Sequence, residues 1–142
     1  MKKTVIFVLS VFMIICLSAC GKKTQKLVCT QNVDGVDRTI NVVFEGDKVK
    51  TMDFSYASDL SEYTDEQLEV IKKQDYCTSI KNAMSDYSEA FSNCKNNIED
   101  KKLSITANLD VSKIAKSTLD KMTSIESSKE SLEASGYTCT IN

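Results

Sequence analysis

Six cysteines carry most of the chemistry this chain can offer: Cys16, Cys20, Cys29, Cys77, Cys94 and Cys139. A thiol can be acylated, paired as a disulfide, bound to a metal or used as a nucleophile. The chain has no histidine. A Ser–His or Cys–His relay therefore cannot be assembled from it. No two of the last four cysteines are close in sequence, so zinc-ligand spacing is absent and no metal is expected. The four glycines are scattered singly and make no phosphate-cradling loop, so no cofactor is expected either. Carboxylates remain. Asp53 and Asp110 would form a pair if their strands adjoin, and such a pair suits general acid–base work or calcium. The other reading is that each is a solubilising residue, and no calcium-loop spacing surrounds them.

Cys20 stands apart because of what precedes it. Lys2 and Lys3 open the chain, and Val5 to Leu17 follows as an almost unbroken apolar run. That run is too short and wrongly flanked for a stable membrane span. It ends in Leu17-Ser18-Ala19-Cys20-Gly21, which resembles the lipobox of bacterial lipoproteins. The resemblance implies that the Cys20 thiol is joined to diacylglycerol and that the chain is cut before it. Residues 1–19 would then be a signal peptide, residues 20–25 a tether and residues 26–142 a single domain. The expected location is the extracytoplasmic face of a cell membrane, held by a palmitate-type anchor. Each buried methylene is worth about 0.8 kcal/mol, and two acyl chains give stable attachment where one does not. Lys22, Lys23 and Lys26 would lie at the headgroups, each adding up to about 1 kcal/mol near an anionic surface. The plainer alternatives are a solvated linker and an ordinary signal peptide cut near Ala19.

The segment after residue 19 keeps 16 of the 18 basic residues and all 20 acidic ones, a formal charge of about −4. It shows no basic stripe interleaved with aromatics, so nucleic acid is not an expected partner. Its 123 residues suit one domain with one core.

Cys16 falls in the apolar segment and Cys20 is assigned to lipid, which leaves Cys29, Cys77, Cys94 and Cys139. An even number in an exported chain favours two disulfides. Spacing alone leaves all three pairings open. Cys77, Ile80, Met84, Tyr87, Phe91 and Cys94 recur at helical steps. An unbroken helix would hold the two cysteines about 25 Å apart at ~1.5 Å per residue. A disulfide needs Cα atoms within about 7 Å. A Cys77–Cys94 bond therefore requires the helix to stop between them. Residues 88–97 are rich in Ser and Asn, which are poor in helix interiors. The helix is expected to end near Tyr87, with a reversal and a strand carrying Cys94.

The elements around these residues read as follows. Residues 26–32 form a first strand, and Asp34-Gly35 a hairpin turn. Ile40, Val42 and Phe44 alternate with Thr39, Asn41 and Val43, and Gly46-Asp47 turns the chain again. Met52, Phe54 and Tyr56 alternate with Thr51, Asp53 and Ser55, as a sheet with one buried and one wet face requires. Thr64 and Gln67 make a capping-box pattern that opens a helix. After the polar turn at residues 99–102, Leu103, Ile105, Ala107 and Leu109 alternate with Ser104, Thr106, Asn108 and Asp110. Residues 111–125 suggest short helical turns. Ser127 and Glu130 suggest a second capping box, Gly136 ends that helix, and residues 137–141 form a last strand. The predicted fold is α+β: a mostly antiparallel sheet with one long and one short helix on one face, stapled by disulfides.

Beside the lipobox, three runs stand out: Lys26-Leu27-Val28-Cys29-Thr30, Phe44-Glu45-Gly46-Asp47-Lys48-Val49 and Gly136-Tyr137-Thr138-Cys139. Together they resemble a group of small lipoproteins from Firmicutes and relatives, similar to the YehR-like lipoproteins, a family of unknown function. The resemblance implies that Cys29 and Cys139 lie on neighbouring strands and pair. It also implies a second pair, Cys77 with Cys94, joining the helix to the next strand. It brings no catalytic residue.

The wet sheet face, with Thr39, Asn41, Thr51, Asp53, Ser55, Ser104, Thr106 and Asn108, offers many donors and acceptors for binding, although half-exposed strands commonly look so without a ligand. Tyr56, Tyr87 and Tyr137 fall in phase with apolar neighbours, while Tyr63 and Tyr76 are candidates for exposed anchors. The expected function is that of a non-enzymatic, membrane-anchored binding or interaction module of the envelope, with an envelope protein as a possible partner. The alternatives are a carboxylate-dependent hydrolase or calcium-dependent surface protein, and an accessory subunit of a membrane complex.

Overall fold

The structure is a computed structural model that describes residues 21–142. The expected signal peptide, Cys16 and the lipidation site Cys20 lie outside the described residues. Six strands form one antiparallel sheet in the order β4-β5-β3-β2-β1-β6. The strands are β1 (Thr24–Val33), β2 (Val36–Glu45), β3 (Lys48–Asp59), β4 (Phe91–Glu99), β5 (Lys102–Leu109) and β6 (Thr138–Ile141). Four helices cover one face: α1 (Asp65–Lys72), α2 (Tyr76–Ala83), α3 (Lys116–Leu119) and α4 (Ile125–Ala134). Short 3-10 turns at Ser85–Tyr87 and Val111–Lys113 link them to the strands. The described residues hold a contiguous core and two disulfides, which is what an independently folding domain needs.

Alternation explains the core. Leu27, Val42 and Phe44 are fully buried on the helix side of adjacent strands, each worth about 1.5–3 kcal/mol on burial. Met52, Phe54, Ala107 and Leu109 continue that face across β3 and β5. Phe54 packs on Tyr56 edge-on at 5.5 Å and on Phe91 at 5.0 Å. The opposite face carries polar rows. Thr39, Ser55 and Thr106 lie abreast, as do Asn41, Asp53 and Asn108.

The β1–β2 hairpin closes through Asp34 and Gly35, both with positive φ (54° and 78°), as a two-residue type I′ turn requires. β1 begins at Thr24, earlier than the first strand read from sequence, because Thr24 and Gln25 pair with Glu45 and Phe44. Residues 24 and 25, expected as tether, therefore lie in β1.

The single long helix expected to end near Tyr87 is two eight-residue helices and a 3-10 turn. Thr64 and Gln67 do form the capping box of α1. That helix then stops at Lys73, and Asp75 starts α2 by accepting from the Thr78 N–H at 3.0 Å and the Thr78 hydroxyl at 2.6 Å. A side chain that satisfies free N–H groups competes with helix continuation. Leu68, Ile71, Ile80 and Met84 fit one helix and two helices equally well by spacing, so the periodicity did not reveal the break. α4 also starts one turn early. Its box is Ser124 with Ser127, not Ser127 with Glu130: each serine hydroxyl accepts from the other's backbone N–H, and the helix so begun carries the buried Ile125.

Gly136 ends α4 at φ 91°, with the Tyr137 N–H returning to the Leu132 carbonyl at 3.1 Å. A Cβ there would meet the Gln31 amide nitrogen at 2.9 Å. β6 then pairs with β1, opposing Cys139 to Cys29. That disulfide spans a Cα–Cα distance of 4.1 Å. The second joins Cys77 to Cys94 across 5.8 Å. Asn93, just before Cys94 on β4, takes φ 50°, and the β4–β5 register shifts between Ser92 and Lys95. Asn is among the few residues that visit this region readily.

Candidate functional site

The inner sheet face and the helices above it do not close completely. A cavity of about 380 Å³ lies between them. Its floor is Ile40, Val42, Met52 and Phe54, from β2 and β3. Met84, Tyr87, Met122 and Leu132 wall it from the helical side. Alternation on β2 and β3 fixes the floor, and the break between α2 and the 3-10 turn swings Met84 and Tyr87 over it. Methionine suits such a wall because its unbranched side chain fills irregular space. The rim is polar and exposed, with Asp86, Lys121, Ser131 and Ser135. Ser128, also on the wall, is buried and donates to the Ser124 carbonyl at 2.9 Å.

Burial raises the pKa of Tyr87, and the neighbouring Asp86 raises it further. Burial also raises Tyr56, with Tyr137 adding to the shift and Arg38 opposing it. Arg38 lies over the Tyr56 ring at 5.8 Å from its centroid, and its buried Nε has no hydrogen-bond partner. With its pKa raised, Tyr87 stays protonated at neutral pH and offers the cavity a hydroxyl group and a ring face, not charge.

Asp53 and Asp110 do not come together. Asp53 faces Asn108 across the β3–β5 ladder and accepts from the Asn41 amide at 2.9 Å. Asp110 lies just past the end of β5 and caps the following turn, accepting from the Ser112 N–H at 3.1 Å and the Ser112 hydroxyl at 2.6 Å. Among the described residues no three Cys, Asp or Glu side chains converge in a metal-binding group. Tyr63 is 43% exposed. Tyr76 is half-buried, and its hydroxyl donates to the Ile71 carbonyl at 3.1 Å. Both border a second groove of about 400 Å³, together with Tyr56, Leu60 and Ile71.

Capping carboxylates give the domain a pH dependence. Asp75 is held below the usual carboxylate range by the Thr78 hydroxyl and N–H. Asp110 is held low by the Ser112 hydroxyl and, less strongly, by its N–H and Lys113. A carboxylate lowered on folding stabilises above its unfolded pKa of about 4, and that stabilisation is lost as pH falls through the folded value. The melting midpoint is expected to be flat from about pH 7 to 5 and to drop below about pH 4. The Asp75→Ala/Asp110→Ala variant should melt lower at neutral pH and show a shallower acid drop. An unchanged acid slope in thermal melts would remove the two caps as its source.

No family model matches the chain, and no curated protein matches it. A solved structure similar to it is the NMR structure of a protein from Streptococcus pneumoniae TIGR4, at 15% sequence identity and a TM-score of 0.48. The match covers 83% of this chain and 84% of that one.

Proposed function

We propose that this chain is a non-enzymatic, membrane-tethered binding module of the cell envelope. In this reading Cys20 carries the lipid, and the ligand lies in the chamber between sheet and helices. The chain is then a small lipoprotein of the Firmicutes type, similar to the YehR-like family. The observation that carries the binding role is the chamber itself. Protein interiors are close-packed, with few voids larger than a water molecule. A space of about 380 Å³ over an apolar floor falls within the range of small-molecule sites. Val42, Met52 and Phe54 are buried in that floor, while Ile40 and the walls Met84, Met122 and Leu132 stay half-exposed. Leaving those side chains wet costs stability, and an apolar ligand offsets the cost. The rim of Asp86, Lys121 and two serines would fix its polar end.

The test uses cells that receive an alkyne-tagged palmitate and a photo-reactive amino acid in place of Ser131. Label is expected on the wild-type chain and not on Cys20→Ala. After illumination, mass spectrometry is expected to find a discrete small-molecule adduct on the peptide containing position 131. Label retained by the Cys20→Ala chain would sink the anchor. Water adducts alone would sink the ligand chamber.

The reading as an accessory subunit draws on the second groove. It leaves Tyr63 exposed, and Val70 on the adjoining α1 is 60% exposed. Apolar side chains in such positions suit a protein partner.

A further inference from the structure

The chain enters the fold at a particular end of the sheet. The Gly46 N–H donates to the Lys23 carbonyl at 2.9 Å, which ties the entering segment to the β2–β3 turn. Lys22 and Lys23 are therefore held beside that turn, and Lys26 follows on β1, next to Asn142. Lys48 and Lys50 open β3 at the same end, where Lys50 meets Glu45 at 2.7 Å. The register opposing Met52 to Leu109 brings the end of β5 there too, and with it Lys113. Lys116 and Lys121 flank α3, whose Leu119 shares a cleft with Lys48.

Charge is unevenly divided as a result. This end holds eight lysines against seven carboxylates (Glu45, Asp47, Asp86, Glu89, Asp110, Asp120 and Glu126). The rest of the described domain holds eight basic residues against thirteen acidic ones. Apolar surface lies among these charges. Val49, Val111, Leu119 and Met122, all half-buried, line the cleft of about 400 Å³ at this end, together with Lys48, Asp47 and Asp120. Partly exposed apolar side chains with lysines nearby are what an interfacial membrane contact uses.

We infer that this end of the domain is a docking face for an anionic lipid surface. For proximity, the inference rests on the proposed anchor at Cys20. Lys23 lies three positions after Cys20, a span of at most about 11 Å, close to the screening length of about 8 Å at physiological salt. The anchored domain would therefore sit within reach of the surface potential. Its acidic remainder is repelled, so attraction and repulsion select one orientation. Lys121 on the chamber rim then lies next to the lipid, and the Tyr63 groove points away.

The test needs no anchor, so its failure is separable from failure of the lipidation reading. Residues 21–142 are sedimented with vesicles of phosphatidylcholine alone or with phosphatidylglycerol added. Binding to the anionic vesicles is expected to be at least tenfold stronger, and to collapse between about 25 and 150 mM salt as screening rises. Lys23→Glu/Lys48→Glu/Lys116→Glu should lose about tenfold. Lys73→Glu/Lys101→Glu/Lys102→Glu makes the same charge change at the other end and should lose less than about twofold. Thermal melts identify variants that are folded, and single Lys→Glu variants replace any triple that is not. Equal binding to neutral vesicles would overturn the inference, as would equal losses from the two triples.

Discussion

Replacing Cys29 and Cys139 together by alanine is expected to destabilise the domain by about 4–5 kcal/mol, on the chain-entropy account of a loop of this length. The two cysteines are 110 residues apart, so the cross-link removes much of the freedom of the unfolded chain. A typical domain is stable by only about 5–15 kcal/mol. The melting midpoint should fall by roughly 15–25 °C for a chain of this size. The folded state adds a local reason. β6 is a four-residue strand that, among the described residues, pairs only with β1. Freed of its cross-link, it can fray and bare the edge of β1, a surface prone to pairing with other chains. The Cys77–Cys94 bond closes a loop of only 17 residues, so Cys77→Ala/Cys94→Ala should cost about 3 kcal/mol, or roughly 10–15 °C. Scanning calorimetry of the two double variants, with the reduced wild type alongside, checks the order. The reverse order would show that the bonds act through native packing and not through the unfolded chain.

The parts of this fold that were legible in the sequence are those where one signal acts alone. On β2, β3 and β5 the alternation of apolar and polar residues decides the strand, its buried face and the wet rows opposite. Asp34-Gly35 admits few conformations besides a tight hairpin. The α1–α2 region failed because its apolar spacing does not discriminate. Ile71 and Ile80 fit one helix or two, and what decides is the cap at Asp75, which starts a second. The possible Asp53–Asp110 pair failed by a small offset. The ladder opposes Asp53 to Asn108, and Asp110 turns away to cap. The chamber had no local signal. Ile40, Phe54, Met84 and Leu132 each read as core positions, and nothing along the chain records that they do not fill the space between them. That depends on how far the helices stand off the sheet, which the cap at Asp75, the early start at Ser124 and the Cys77–Cys94 bond jointly set.

That difference between filled and unfilled space gives the second large effect. Phe44→Ala is expected to cost about 3–5 kcal/mol, the usual range for removing a buried phenylalanine. Phe44 is fully buried on β2, paired to Gln25 on one side and Val49 on the other. Its ring cannot be replaced by collapse of a sheet whose ladders fix both neighbours, so a void remains. Met84→Ala should cost about 1–2 kcal/mol, below the range for a buried methionine, because Met84 is only half-buried and already borders open space. In urea melts both variants should lower the midpoint with little change in slope. The comparison bears directly on the binding role. If the Met84 side chain proves as costly as Phe44, its surroundings are packed in solution and the chamber closes without a ligand. If the Met84 variant stays within the smaller range, the layer above β2 and β3 is open in the folded protein. An apolar ligand should then raise the melting midpoint of the wild type in proportion to its occupancy, and raise that of Met84→Ala less, since one wall of the site has been removed.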